Sequence, residues 1–280
     1  MLGGYDRYVG NRYMRYYCML PKTLRTQVSR RLINWVPESF SYKSLASKLR
    51  WLDKMSDASE EQRYAASVNF FRFDEETKRR VYSEEFASKV GALDSIDYIA
   101  QVFNDAPVDD LVDRMLYTDV HTQLAEHGCM IVDRTTMAFG LESRSPFLDR
   151  KLAEFCATLP TNLKVRQHRL RYLERELARK YLPEEVVSRQ KQGFGLPLGY
   201  WFNGSLGDLT ANLFRDSTLV KSGFVTTEGL LSVLNEHRMQ GIDHSHRLWI
   251  LLNLEMWHRI FIEKESLGSV METVKQPVYS

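Results

Sequence analysis

Glu142 and Arg144 stand two residues apart in the stretch Asp133–Asp149, DRTTMAFGLESRSPFLD, where their types and spacing suggest chemistry. A carboxylate can take a proton from an amine or orient it, and a guanidinium beside it can hold the carboxylate in place. Pro146 disfavours helical backbone at Ser145, so the chain from Leu141 to Pro146 is expected to be extended. In extended chain, side chains two apart point the same way, which puts Glu142 and Arg144 on one side. Two readings stay open on these residues alone. The pair is an internal ion bridge that pins a turn, or it belongs to a site.

A second candidate is the basic run Arg189, Gln190, Lys191, Gln192, Gly193, Phe194, Gly195. Two glycines free it to bend, and a flexible cationic loop can close over an anionic leaving group and exclude water. An ordinary surface loop is the alternative. His121, His127 and Cys129 match no familiar zinc spacing and lack an evident fourth ligand, so no metal site is read. Asp119 falls on the apolar face of a helix, where a charge must be paired or face a cavity. The arginines of Asp133–Asp149 are its expected partners, and a pocket-facing acid is the second reading. Asp243-His244-Ser245-His246 reads as a helix cap in preference to a metal site.

The elements that would carry these residues are helical. Asp133 is expected to cap a short helix on which Met137 and Leu141 share a face. Asp149 is expected to cap the next, with Leu152, Phe155, Cys156 and Leu159 on one side and Pro160 as its stop. Upstream, VDDLVDRMLYTDVHTQL has Val108, Leu111, Val112, Met115 and Leu116 at the helical period. The basic stretch Lys164–Tyr181 carries an apolar stripe of Leu170, Leu173, Leu177 and Tyr181. Nearer the start, Leu24, Val28, Leu32 and Trp35 predict one basic amphipathic helix, and Leu45, Leu49 and Leu52 another. Phe70, Phe71 and Phe73 read as core anchors. Trp249, Leu252, Met256 and Ile260 predict the buried face of a closing helix, after which Ser266–Ser280 has no period and is expected to fray. Residues 1–265 thus form the helical part and residues 266–280 a flexible tail.

Composition narrows the class. The chain has 280 residues, 44% hydrophobic and 26% charged, as a soluble globular protein would. Its net charge of +2 favours no particular partner. Three scattered cysteines fit a reducing, cytoplasmic setting better than a disulfide framework. No apolar run is long enough to span a bilayer, and Met1 is not followed by a signal-peptide pattern. Tyrosines and basic residues interleave between Tyr5 and Tyr17, as on some nucleic-acid surfaces, but the remainder has no matching basic face.

Three blocks together resemble one family. Asp133–Asp149 is similar to the D-R-x-x-M-A-x-x-x-E-x-R-x-P-F-L-D pattern of the asparagine synthetase family, the glutamine-dependent enzymes and relatives such as β-lactam synthetases. LPEEVVSRQKQGFGLPLGYWF, from Leu182 to Phe202, resembles the family's late lysine loop. GGYDRY, from Gly3 to Tyr8, resembles the end of its S-G-x-G-x-D-E-L-F-G-G-Y segment. The blocks occur in family order, which is more specific than any of them singly. The family's N-terminal cysteine glutaminase, its S-G-G-x-D-S pyrophosphate loop and its acidic D-E pair do not occur in this sequence.

The resemblance implies a mainly α chain. It would be the helical C-terminal portion of an adenine-nucleotide α-hydrolase-like α/β synthetase domain, with the parallel-sheet nucleotide-binding part missing or nearly so. It implies ATP-dependent adenylation of a carboxylate, aspartate first among candidates, followed by attack of ammonia derived from glutamine. Lys191 is then the catalytic cation, Glu142 the group that acts on the amine, and Arg144 its holder. Gly4, Tyr5 and Arg189 would flank the nucleotide, and Lys164 matches a family lysine without an assigned role. ATP and magnesium belong to the full-length enzyme, and neither is expected to bind tightly to this chain alone. Its partners would be the missing glutaminase and nucleotide-loop segments, in cis or in trans, with no nucleic acid and no membrane. The other readings are a non-catalytic or split-subunit scaffold, a basic nucleic-acid module, and a lactam-forming or surface-polysaccharide amidotransferase.

Overall fold

A computed structural model describes residues 1–25, 27, 55–68, 73–91, 94–189 and 196–275. The two helices predicted around Leu24–Trp35 and Leu45–Leu52 lie largely outside these residues, as do Phe70, Phe71 and the run Gln190–Gly195 with Lys191. The described chain is mainly α. Among its residues the β-structure consists of two isolated bridges, Tyr82 with Val225 and Arg166 with Arg169.

The chain forms two compact units. The first comprises Met1–Arg31, Trp51–Asn69 and Asp94–Lys191. Its core is Tyr8, Tyr64, Phe103, Leu111, Val112, Met115 and Leu116, drawn from the helices Asp6–Cys18, Glu60–Val68, Ser95–Asn104 and Leu111–Asp119, together with Val165, which follows the turn Thr161–Lys164. Each of the last two helices begins on an aspartate whose carboxylate accepts from free first-turn amides: Asp94 from Ile96, and Asp110 from Val112 and Asp113. The Arg114 guanidinium lies over the Phe103 ring, 4.3 Å from its centre, and covers the core edge.

The second unit comprises Leu32–Arg50, Phe70–Leu93 and Gln192–Ser280. Phe202, Leu213, Phe214, Leu230, Val233, Leu234 and Leu248 are its centre, with Phe73 packed against them. Thr227–Met239 approaches the Glu75–Val81 helix closely at Gly229, where a Cβ would lie 2.2 Å from the Arg80 carbonyl oxygen. Only glycine fits there.

The closing helix, Ser245–Trp257, runs on into a π-helical turn, His258–Ile262. Its buried face overlaps the predicted one at Leu252, with Met256 packed against the core, and extends beyond it. Leu248, Leu251, Leu252 and Glu255 face inward, while Trp249 is partly exposed. The inward face carries a fully buried carboxylate, which apolar periodicity does not register. Glu255 accepts from Arg259 Nε at 2.7 Å, Ser217 Oγ at 2.6 Å and Thr218 N at 2.9 Å, so its charge and lone pairs are met. Within the stretch read as a fraying tail, Leu267–Lys275 is helical and Val270 is fully buried.

The basic stretch Lys164–Tyr181 is likewise not one helix. Thr161–Lys164 is a single turn, Arg166 and Arg169 exchange backbone hydrogen bonds in a tight loop, and a helix resumes at Tyr172–Ala178. Gln167 and Arg171 adopt positive φ of 53° and 52°, which breaks the apolar stripe.

Candidate active site

The candidate site lies in the first unit and is built on one long helical run. Leu111–Asp119 is α-helical, Val120–Cys129 is π-helical, and Met130–Met137 is α-helical again. Asp133 therefore sits inside the run and does not cap its start, because Met130, Ile131 and Val132 continue the helix without a breaker. The run ends at Gly140. Its φ is 68°, its amide donates to the Met137 carbonyl, and the Leu141 amide donates to the Thr136 carbonyl. This pairing satisfies the last carbonyls of a helix and requires left-handed backbone, so Leu141 leaves the face that Met137 occupies. Gly140→Ala meets no steric obstacle but retains the strained φ. We expect it to lower unfolding stability by about 1 kcal/mol, measured by urea denaturation.

Beyond Gly140 the backbone from Leu141 to Ser145 is extended, Pro146–Leu148 forms a 3-10 turn, and Asp149 caps the helix Arg150–Thr158 by accepting from the Leu152 amide at 3.0 Å. In the extended stretch Arg144 reaches Glu142 Oε1 at 2.8 Å, the two side chains being 83% and 66% exposed. The alternate residues Ser143 and Ser145 turn the other way. They line an open cavity of about 680 Å³, together with Leu124, Cys129, Asp133 and Arg134. The cavity wall is thus the π-helix and its α-helical continuation, and its rim is the serine side of the turn. The charged pair stands on the opposite side. Two hydroxyls, a guanidinium and a carboxylate around a partly apolar wall can bind a small polar ligand.

Gly4 lies beside the Arg171 side chain, and the Gly3 carbonyl accepts from the Arg171 amide. Tyr5 is partly exposed with the Arg7 guanidinium 4.1 Å from its ring centre. Arg7 donates in turn to Asp119 at 2.7 Å and to Gln123. Asp119 also accepts from the hydroxyls of Tyr8 and Tyr64. Its partner is therefore Arg7, not an arginine of Asp133–Asp149, because the inward side of Leu111–Asp119 meets the first helix. Burial, reinforced by the Asp119 charge, pushes ionisation of both tyrosines well above its ordinary range. Spacing gave no signal for this cluster, since Arg7 and Asp119 are brought together only by the fold.

Lys164 is buried and donates to Asp113 at 2.8 Å and to the Ala157 carbonyl at 3.2 Å. Arg189 is exposed, just beyond the short helix Glu184–Ser188. The neighbouring Lys191 is among the residues outside the described set.

The surface around the turn is apolar. Met137, Phe139, Leu141, Phe147 and Phe155 are exposed, Phe139 to 83%. On Arg150–Thr158 only Cys156 of the predicted inner face is buried. These exposed apolar side chains are interspersed with the exposed ion pairs Glu142–Arg144 and Arg150–Glu154.

Comparison with known proteins adds a family. The asparagine synthase family model matches residues 1–259. The chain is 31% identical over 153 residues to asparagine synthetase [glutamine-hydrolyzing] 1 of Bacillus subtilis (strain 168), covering 55% of this chain and 24% of the relative. It is 28% identical over 280 residues to a putative asparagine synthetase [glutamine-hydrolyzing] of Mycobacterium tuberculosis (strain ATCC 25618 / H37Rv), covering all of this chain and 40% of the relative. An 89-residue match to asparagine synthetase [glutamine-hydrolyzing] 1 of Saccharomyces cerevisiae (strain ATCC 204508 / S288c) has 36% identity, over 27% of this chain and 16% of the relative. The chain spans less than half the length of these relatives. No solved structure matches it significantly.

Proposed function

We infer the function of this chain from one premise: it belongs to the asparagine synthase family. On that premise it supplies the helical part of a centre for ATP-dependent amide formation. A carboxylate, aspartate as first candidate, is adenylated with release of pyrophosphate, and ammonia from glutamine then attacks the acyl group. The observation that carries this reading is the match over residues 1–259, which includes the Asp133–Asp149 turn.

Each residue has a role in this reading. Lys191 stabilises charge that develops on the phosphates. Glu142 takes a proton from the incoming amine or orients it, and Arg144, already bonded to it, fixes its rotamer. Gly4 and Tyr5 border the nucleotide, and Arg189 adds positive charge near it. Magnesium, when bound, would neutralise phosphate charge. Among the described residues no group of three or more His, Cys, Asp or Glu side chains is placed to hold a metal ion. In this reading the metal and the phosphates are assigned, from the family resemblance, to a nucleotide-loop part supplied in cis or in trans, and this polypeptide alone is expected to form no amide from ATP.

The exposed apolar face from Met137 to Phe155 supports that division, since it is the surface such a part would cover. No helix among the described residues is long and apolar enough to cross a membrane. Cys18, Cys129 and Cys156 are free, and we assign the protein to the cytoplasm.

Lys191→Ala, introduced into an enzyme that contains both parts, is expected to lower the adenylation rate by about 10²–10³-fold, followed as pyrophosphate release. Undiminished release would remove Lys191 from the mechanism.

A further inference from the structure

The second unit contains a buried imidazole whose two ring nitrogens are both in use. His244 is 5% exposed and occupies the N-cap position of the Ser245–Trp257 helix. Its Nε2 lies 2.8 Å from Glu236 Oε2, and its Nδ1 lies 3.1 Å from an Arg247 guanidinium nitrogen. Arg247 can only donate, so Nδ1 must accept, and the proton resides on Nε2, facing the carboxylate. The His244 backbone amide donates to Nδ1 of His237, whose Nε2 is 2.9 Å from the Gly199 carbonyl. The neutral Nε2–H tautomer of both rings satisfies every one of these contacts.

We propose that His244 is an acid-sensitive clasp that holds the Thr227–Met239 and Ser245–Trp257 helices together. A second proton on its ring would place an N–H against the Arg247 donor and abolish that hydrogen bond. The new positive charge would stand at the positive end of a helix. The surrounding charges do not offset it evenly. Arg80 approaches from the Glu75–Val81 helix and already occupies Glu236 as an ion pair. Arg247 and His246 lie on the same helix as His244, Asp243 immediately precedes it, and Asp74 lies towards Arg247. Among the described residues Glu236 is the carboxylate bonded to the ring, and it is shared with Arg80.

Burial holds the His244 pKa below its ordinary value, with the Glu236 hydrogen bond opposing it and Arg247 and Arg80 adding to it. Native protein therefore takes up this proton at lower pH than unfolded chain does. The contribution to stability is present above the ordinary imidazole range and is lost as pH falls from that range through the folded value. Loosening should begin at the start of the closing helix, where the Leu248 amide donates to the His244 carbonyl.

The test is an NMR titration of the intact chain combined with amide hydrogen exchange in wild type and His244→Gln. Gln retains a donor towards Glu236 but does not titrate. We expect His244 to show the Nε2–H tautomer, to titrate below the ordinary imidazole range, and to lose protection at Leu248 as it does so. His244→Gln should keep its Leu248 protection over the same interval. An ordinary or raised His244 pKa, the other tautomer, or the same loss in both proteins would overturn the proposal. Should the variant not fold, the wild-type titration and its exchange profile decide by the same criteria.

Discussion

Glu255→Ala is expected to destabilise the second unit by about 3–5 kcal/mol, the cost of breaking a buried ion pair from one side. The carboxylate is fully buried, and the Arg259 side chain is 1% exposed. Removing it frees the Arg259 Nε and, at the start of Thr218–Lys221, the amides of Thr218 and Leu219 together with the hydroxyl of Ser217. Arg259 keeps contacts with the Asp216 carbonyl and with Glu265, so it retains some stabilisation. Glu255→Gln keeps an acceptor oxygen and loses the charge, and should cost about 1–3 kcal/mol. Urea denaturation of the three proteins checks the order. A Glu255→Ala protein as stable as wild type would mean that the network contributes specificity without stability.

The second large effect is expected at Asp119. Asp119→Ala leaves Arg7 and the Tyr8 hydroxyl without their carboxylate, while Tyr64 keeps a fallback acceptor in the Met115 carbonyl at 3.1 Å. The expected loss is about 3 kcal/mol, because the largely buried Arg7 would lose its carboxylate partner and keep only Gln123 and the Tyr5 ring. Asp119→Asn is nearly isosteric and separates charge from packing. It removes one of the two main causes that keep Tyr8 and Tyr64 protonated, so their ionisation should begin at lower pH than in wild type. A spectrophotometric tyrosine titration reads this directly. Unchanged tyrosine ionisation in Asp119→Asn would show burial alone to be responsible. The Arg7 guanidinium also stacks on Tyr5, so order at the Gly3–Tyr5 segment should fall in the same variants.

Local chemistry made part of this molecule legible from its residues. The extended chain before Pro146, the adjacency of Glu142 and Arg144, and the cap at Asp149 all follow from short-range sterics and hydrogen bonding. Long-range pairing was less accessible. Asp119 was identifiable as a charge in need of a partner, but its partner lies 112 residues away and became clear only once the helices were packed. Periodicity found Leu252 and Met256 on the closing helix but missed Glu255, because it scores apolarity and Glu255 is buried by satisfying its charge. It also could not see that Val120–Cys129 would widen to a π-helix, nor that Gly140 would end the run. The inner face predicted for Arg150–Thr158 is mostly exposed, with Cys156 buried and Leu152 and Phe155 on the surface.

The alternation from Leu141 to Ser145 makes the spacing of this loop part of its chemistry. A single residue inserted between Gly140 and Glu142 would rotate the chain by half a pleat, bringing the carboxylate and guanidinium to the cavity mouth and sending both hydroxyls to solvent. Related proteins could thus exchange a hydroxyl-lined rim for a charged one by a length change alone, with every side chain conserved.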